Sequence, residues 1–491
     1  MTLEDKQLLS LNERIRVLSV PVGRSAEIRR IAPYVAALVV FFSAVATLRV
    51  WSLGSGAFDL GFHVHALGAV ARDGLLAPAS WAGWSFLQDH FAPWLLPLAP
   101  LVASPWGGYV LVVFQALCYG GSILCVWRML QRTSIDDQGR KLLTVAYALA
   151  PTLTFPLLFD SHSNVMAVPF VVLLVDALIF DRPRQGVLAA IAAVGFREDV
   201  ILLVVALAVV YARRRHWVWV RLGVPAAIAA VGWRVTTPGR PDTMLEIFFG
   251  YLRPYWESQD FLGVLSEMAD RLWSDGLVAL LAIAVLFPWI VVGHLGTRPL
   301  AALILAGSHY LIADSLLTKT AGFQYWALAP ALMVASVADG GGSEPSKARY
   351  QALGASIVIA AMGGPLAFGT LGPGGVTVAS VLRTADSNAP LIEFAHRAIN
   401  CVPINDLVAA ISEVTPLMGQ FPRVQLLPHP FEQGALVHGT EIRKLPLVNP
   451  AKPDWVISPS LPSSALSSYD HVDGIQFLWR RNSGQQPEVS C

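Results

Sequence analysis

The chain predicts an all-α polytopic membrane protein of roughly ten to eleven transmembrane helices, with a small α/β domain at its C-terminal end. Three observations lead there. Hydrophobic residues make up 54% of the sequence and charged residues only 14%, against about 25% charged in soluble domains. The apolar residues come in blocks near the ~20 residues that cross a hydrocarbon core. Lys and Arg concentrate in alternate loops, as the charge rule for cytoplasmic loops requires. A formal net charge of +1 offers nothing to nucleic acid, so the expected partner is the lipid bilayer, with protein partners left unspecified.

Taken in order, residues 1–30 are polar and arginine-rich (Arg14, Arg16, Arg24, Arg29, Arg30) and read as a cytoplasmic lead-in. No cleavable signal is expected there, because about 30 polar residues precede the first apolar run. The transmembrane domain covers 31–371. Its first span is 31–50, followed by a long first outer loop, 51–105, rich in Asp and His. Further spans are expected at 107–128, 141–158, 164–180, 217–235, 276–293, 299–317, 324–338 and 351–369. With the N-terminus inside, loops 128–141, 181–185, 212–216, 294–298 and 339–350 are cytoplasmic, and each carries Lys or Arg.

Residues 186–211 do not fit a single crossing, since basic loops flank both ends. A helical hairpin turning around Phe196-Arg197-Glu198-Asp199 resolves the conflict. A large outer loop covers 236–275. From about Gly372, Pro, Ser and Asn increase and short apolar runs (407–411, 423–427, 455–457, 475–479) replace long ones. They predict strands of an extracytoplasmic α/β domain, 372–491, entered through an amphipathic helix at 389–400. Cys118 and Cys125 act as small apolar residues. For Cys401 and Cys491, a disulfide and a free terminal thiol both remain open.

The candidate chemistry lies on the outer side. Asp59 and His63 are four apart, so on a helix they share a face and His65 points elsewhere. A carboxylate just outside the membrane is suited to act as a general base on an acceptor hydroxyl; a helix cap or a partner for Arg72 is the plainer reading. Asp89 and His90 could orient a substrate or hold a divalent metal together with Asp59, or simply cap a helix. Asp160 and His162 emerge in a short turn on the same side. Arg197 and Glu198 sit in the hairpin, where a phosphate contact and an internal Arg–Glu lock weigh equally. Lys319 stands in an outer turn, against the local charge rule, to meet a phosphate or to snorkel. A phosphate loop, Cys-x-x-Cys and His-Glu-x-x-His are all missing from the sequence, so a preactivated donor is expected to drive any reaction. No cofactor is assigned and no metal ligand is named, though a divalent metal remains open.

Phe-Asp-Leu-Gly at 58–61, Asp-His-Phe-x-Pro at 89–93, Phe-Asp-Ser-His at 159–162 and Arg-Glu-Asp at 197–199 follow one another along the chain. In that order they resemble an uncharacterised family of bacterial predicted membrane proteins, a domain of unknown function. The resemblance covers most of 30–460, and Val402-Pro403 and Leu427-Pro428-His429 fit its recurring pattern. The family looks related to the GT-C superfamily of membrane glycosyltransferases. That resemblance implies a GT-C-like fold in the bacterial inner membrane and a polyprenyl-phosphate-linked sugar donor. It also implies Asp59 as the acidic residue of the first outer loop, in the role of base; the reading of the residues themselves then sets His63, Asp89, His90, Asp160, His162, Arg197, Glu198 and Lys319 around the substrate. Two departures stand out. Leu60 follows Asp59 where many GT-C enzymes have a second acid, and Arg197 takes the place of an expected lysine. The rival functions are a transporter or flippase for a lipid-linked or small polar solute, and a non-catalytic envelope-assembly scaffold.

Overall fold

The computed structural model describes residues 24–55, 60–79, 83–212, 217–236, 252–271, 273, 296–312, 326–340, 351, 354, 378–411, 414–426, 436–437, 440–441, 453–458, 469–471 and 478–481. Asp59, Lys319, His429, the expected span 276–293 and nearly all of 351–369 lie outside the described residues. Within them the protein is mostly helical, with a small sheet near its C-terminal end. Three helical stretches are long and apolar enough to cross a membrane: Ile28–Trp51, Gly107–Leu130 and Asp137–Phe159. At 1.5 Å per residue the first two reach about 36 Å, more than the ~30 Å of a hydrocarbon core.

Helix α1 (Arg24–Trp51) packs on α3 (Gly107–Leu130), and α2 (Phe62–Asp73) lies in the loop between them. The span expected at 141–158 is divided into α4 (Asp137–Ala148) and α5 (Pro151–Phe159). The interruption at Leu149–Ala150 precedes Pro151, whose ring fits the first turn of a helix but not its interior. Helix α6 (Ser163–Ile179) is buried along most of its length, between α3 and α7 (Pro183–Val194).

Residues 183–211 form a helical hairpin, with α7 as one arm and α8 (Asp199–Tyr211) as the other. The turn falls at 195–198, where the sequence places its charges. Trp217 Nε1 donates to Asp181 Oδ1 at 3.0 Å, so the chain entering the hairpin and the chain leaving it sit side by side. Each arm is about 18–20 Å long, and α9 (Trp217–Thr236) packs along both. In the loop that follows, α10 (Phe261–Arg271) buries none of its side chains. Helices α11 (Thr297–Ile312) and α12 (Ala329–Asp339) pack on each other; α11 also meets α8, and α12 also meets α6.

The C-terminal part begins with α13 (Val378–Ser387), which packs on α1, and α14 (Ala389–Cys401), the amphipathic helix expected from the sequence. A five-stranded sheet follows in the order β2-β1-β5-β7-β6. β1 (Val408–Ala410) runs parallel to both β2 (Val424–Leu426) and β5 (Trp455–Ile457); β7 (Leu478–Arg481) pairs antiparallel with β5 and β6 (Tyr469–His471). A separate two-stranded ladder joins β3 (Leu436–Val437) and β4 (Thr440–Glu441). This part is docked against the end of α1: Asn388 Nδ2 donates to the Ser52 carbonyl at 2.9 Å, and the His396 ring stacks near Trp51. The turn Thr415–Leu417 reaches α2 and the start of α3. At Gly108 any Cβ would come within 2.9 Å of the Pro416 carbonyl, so a side chain there would push the two apart. Cys401 is held in a disulfide whose partner lies outside the described residues, whereas Cys118 and Cys125 are free. The free-thiol alternative for Cys401 is thereby removed.

Candidate functional site

The site is assembled from the first outer loop and the hairpin turn, with the turn before α6 beside them. His63 sits in the first turn of α2 and is 5% exposed. The loop then returns through a four-residue helical turn, Phe86–Asp89. That turn is fixed by a capping box: Gln88 N–H donates to Ser85 Oγ at 3.3 Å, and Ser85 N–H donates to Gln88 Oε1 at 2.7 Å. Such a cap is worth about 1 kcal/mol, and here it also sets where the chain leaves the turn. Asp89 ends the helical turn rather than capping its start, and His90 follows in an extended conformation.

His90 is the hub. Its Nδ1 lies 2.8 Å from Glu198 Oε1 in the hairpin turn, and its Nε2 lies 3.4 Å from Asp89 Oδ2. The second Glu198 oxygen accepts the Phe91 N–H at 3.0 Å. Both carboxylate oxygens therefore clamp the first outer loop to the hairpin. Of the two readings weighed for Arg197 and Glu198, the direct hydrogen-bonded Arg–Glu pair is not seen: Glu198 reaches across to His90. Arg197, whose side chain is 3% exposed, places its Nε 3.3 Å from Asp199 Oδ2, and Asn164 Nδ2 donates to that same oxygen.

The hairpin also grips the loop through Trp94. Its backbone N–H donates to the Gly195 carbonyl, and its Nε1 to the Ile191 carbonyl, both at 3.1 Å. Gly195 is required by this approach: a Cβ there would fall 1.9 Å from Trp94 Nε1.

The two histidine rings stand edge to face with centroids 6.2 Å apart. Burial, then the neighbouring His90 and Arg197 charges, hold the His63 pKa near 3; Asp89 and a hydrogen bond to the Ser161 backbone carbonyl oppose them only in part. His63 is thus neutral at pH 7. Burial and Arg197 also work against charge on His90, but the Asp89 and Glu198 carboxylates outweigh them and raise its pKa above 6.5. Two neighbouring imidazoles with opposed shifts are the environment in which acid–base or ligand chemistry becomes available at neutral pH. His65 faces the other way: its Nε2 meets the Thr415 carbonyl at 3.1 Å, tying α2 to the C-terminal part.

Of the residues singled out in the sequence, His63, Asp89, His90, Arg197 and Glu198 meet. Asp160 and His162 are buried in the adjoining turn, where the Asp160 carbonyl accepts from Gln115 Nε2 of α3, the His162 backbone N–H donates to Gln115 Oε1, and the His162 ring stacks on Phe159. They shape the turn that presents Ser161 to His63. Gln115, Asn164, Ser161 and Arg49 are parts that sequence reasoning passed over. Gln115 interrupts an apolar run, and Arg49 lies in the last turn of the first apolar helix; both were available as signals. Arg49 Nε donates to the Phe159 carbonyl, and its guanidinium lies 5.0 Å from the Phe159 ring centre.

Beside the polar cluster runs an apolar groove of about 920 Å³ between α7 and α9. Leu188, Ile191, Val224 and Ile228 line its length, and Arg184 and Arg221 lie at its far end. Its near end is formed by Phe91, Pro93, Trp94 and Gly195, the residues that follow His90 and precede Glu198. The groove therefore runs up to the cluster.

No curated protein matches the chain. Residues 49–470 match the family described as "Predicted membrane protein (DUF2079)", which takes in the α2 helix, the His90 loop, the hairpin and most of the C-terminal sheet. The chain belongs to this family of predicted membrane proteins of unknown function.

Proposed function

We propose that this protein is a GT-C-like glycosyltransferase of the bacterial inner membrane. It moves a sugar from a polyprenyl-phosphate carrier to an acceptor outside the cytoplasm. The observation that carries the reading is the junction of groove and cluster. A long apolar groove suits an isoprenoid chain, and at its near end a buried arginine and a set of imidazoles and carboxylates stand where the phosphate and sugar of such a lipid would lie. The disulfide at Cys401 favours an oxidising compartment for the C-terminal part. The N-terminus is then cytoplasmic and the helical domain multi-pass.

In this reading an acceptor hydroxyl oxygen attacks the anomeric carbon of the sugar. Its bond to the carrier's phosphate oxygen breaks, and polyprenyl phosphate leaves with the electron pair. Asp59 takes the hydroxyl proton, and Arg197 and Lys319 hold the phosphate charge that develops. His63, Asp89 and His90 line the site, and Asp160 and His162 support it through the turn at Ser161.

The test compares envelope glycans and lipid-linked sugar pools in a deletion strain complemented with wild type, Asp59→Asn or Arg197→Gln. Loss of one glycan with build-up of its lipid donor, unrestored by either variant at normal protein levels, is the expected result. Full complementation by both variants would overturn the reading and move a transporter or an assembly scaffold ahead of it.

A further inference from the structure

We infer that His63, Asp89 and His90 form a binding site for a divalent transition-metal ion of the zinc class, with Glu198 as the group that orients His90. The three residues each offer one donor atom, and those atoms lie within 4.8 Å of one another. Ligands about 2.0–2.2 Å from a shared ion sit roughly 3–4 Å apart, so a small inward adjustment of side chains completes the site. Two imidazoles and one carboxylate leave at least one coordination position open, and that donor set suits a borderline metal rather than calcium or magnesium.

The surroundings of the two histidines argue the same way. A metal-binding histidine nearly always gives its second ring N–H to a carboxylate or a backbone carbonyl, which fixes the tautomer and turns the other nitrogen toward the ion. The His90 ring has that arrangement. His90 Nδ1 is engaged by Glu198, itself pinned by the Phe91 N–H, which leaves Nε2 facing Asp89. The His63 Nδ1 is buried with no hydrogen-bond partner. A buried nitrogen without a partner costs stability unless something supplies one. His65 also leaves its Nδ1 unpartnered, but no second imidazole or carboxylate stands with it in a ligand cluster among the described residues. At His63 the imidazole and carboxylate are there.

This inference stands apart from glycosyl transfer and is tested by binding alone. Tag-free protein, purified in detergent and stripped with chelator, is titrated with Zn²⁺ and separately with Co²⁺, whose visible absorption reports imidazole and carboxylate coordination. About one ion per chain is expected. Glu198→Gln removes an orienting carboxylate and should weaken binding about 10- to 100-fold, while His63→Gln and His90→Gln should abolish it. Elution as a single species in gel filtration and an unchanged melting temperature for His63→Gln guard against misfolding as the cause. Wild-type protein that is monodisperse yet takes up neither ion, or ion binding that survives both histidine substitutions unchanged, overturns the site. Either result leaves the glycan test untouched, because that test does not depend on the metal.

Discussion

Helix α6 ends in two different kinds of buried charge. At its C-terminal end Asp176, 2% exposed, meets Arg132 directly. Gln185 donates to the same carboxylate oxygen at 3.0 Å, and the Arg132 guanidinium lies 5.9 Å from the Phe180 ring centre. A permanent cation is set against an anion, and three segments (the end of α3, α6 and the start of α7) are held together, although Asp176 Oδ1 and two Arg132 nitrogens are buried without a hydrogen-bond partner. At the N-terminal end of α6 the polar groups come from more distant pieces of chain, and no permanent cation faces the Glu198–His90 pair in the same direct way. Glu198 and His90 pair, but His63 keeps a buried ring nitrogen that no group satisfies. The first cluster has the form of a lock. The second has the form of a site, since it gathers two imidazoles and a carboxylate whose donor atoms lie within 4.8 Å of one another.

The largest expected effect tests that distinction. Asp176→Ala leaves Arg132 buried without its counter-charge, and breaking such a pair typically costs about 3–5 kcal/mol. Detergent-solubilised protein should lose most of its folded yield, with a sharply lower melting temperature. His63→Gln, in contrast, should melt within a degree or two of wild type. Were His63→Gln as damaging as Asp176→Ala, the outer cluster would be structural too, and the contrast would collapse.

A second prediction concerns the other face of α2. His65 is 1% exposed, and burial, helped by Arg72, holds its pKa near 4 despite the Thr415 hydrogen bond. Its folded pKa lies below the unfolded value of 6.5, so the unfolded chain binds the proton more readily. Stability is therefore full above pH 6.5 and is lost as pH falls from 6.5 toward 4, by roughly 3 kcal/mol in all and about 2 kcal/mol by pH 5. Melting curves between pH 7.5 and 5 should show a steeper fall for wild type than for His65→Gln. Parallel curves for the two proteins would mean that this contact does not couple α2 to the C-terminal part.

Much of this architecture is legible in the sequence because it follows from periodicity and cost. Arg197, Glu198 and Asp199 within an apolar stretch mark the hairpin turn, since charges at that depth need a polar partner. The runs 407–411, 423–427 and 455–457 mark three of the strands, and 389–400 marks the helix before them. The fourth run, 475–479, only partly overlaps the strand Leu478–Arg481, because that strand is placed by pairing with Trp455–Ile457 and not by its own pattern. The site was legible in its parts but not in its pairings. Nothing in spacing says that Glu198 crosses to His90, 108 positions away, in preference to the neighbouring Arg197. Ser161 was invisible for a different reason: it contributes a backbone carbonyl, which every residue has.

The smallest of these effects concerns how the two pieces of the site are kept in register. Trp94 is hydrogen-bonded to Gly195 and Ile191 only because Gly195 has no side chain. A methyl group there overlaps the indole outright, so Gly195→Ala must displace Trp94 or tilt the hairpin turn. Overpacking of this kind costs about 1–3 kcal/mol, well short of the loss expected at Asp176. The displacement, however, acts along the contact that sets the His90–Glu198 distance, so its functional effect should exceed its effect on stability. Gly195→Ala should therefore fold, melt a few degrees low and bind Co²⁺ more weakly than wild type. Trp94→Ala made in the Gly195→Ala background removes the clash and should recover part of that binding. If the single variant binds Co²⁺ as tightly as wild type, the loop and the hairpin are positioned by Glu198 alone, and the Trp94 contact is packing without consequence for the site.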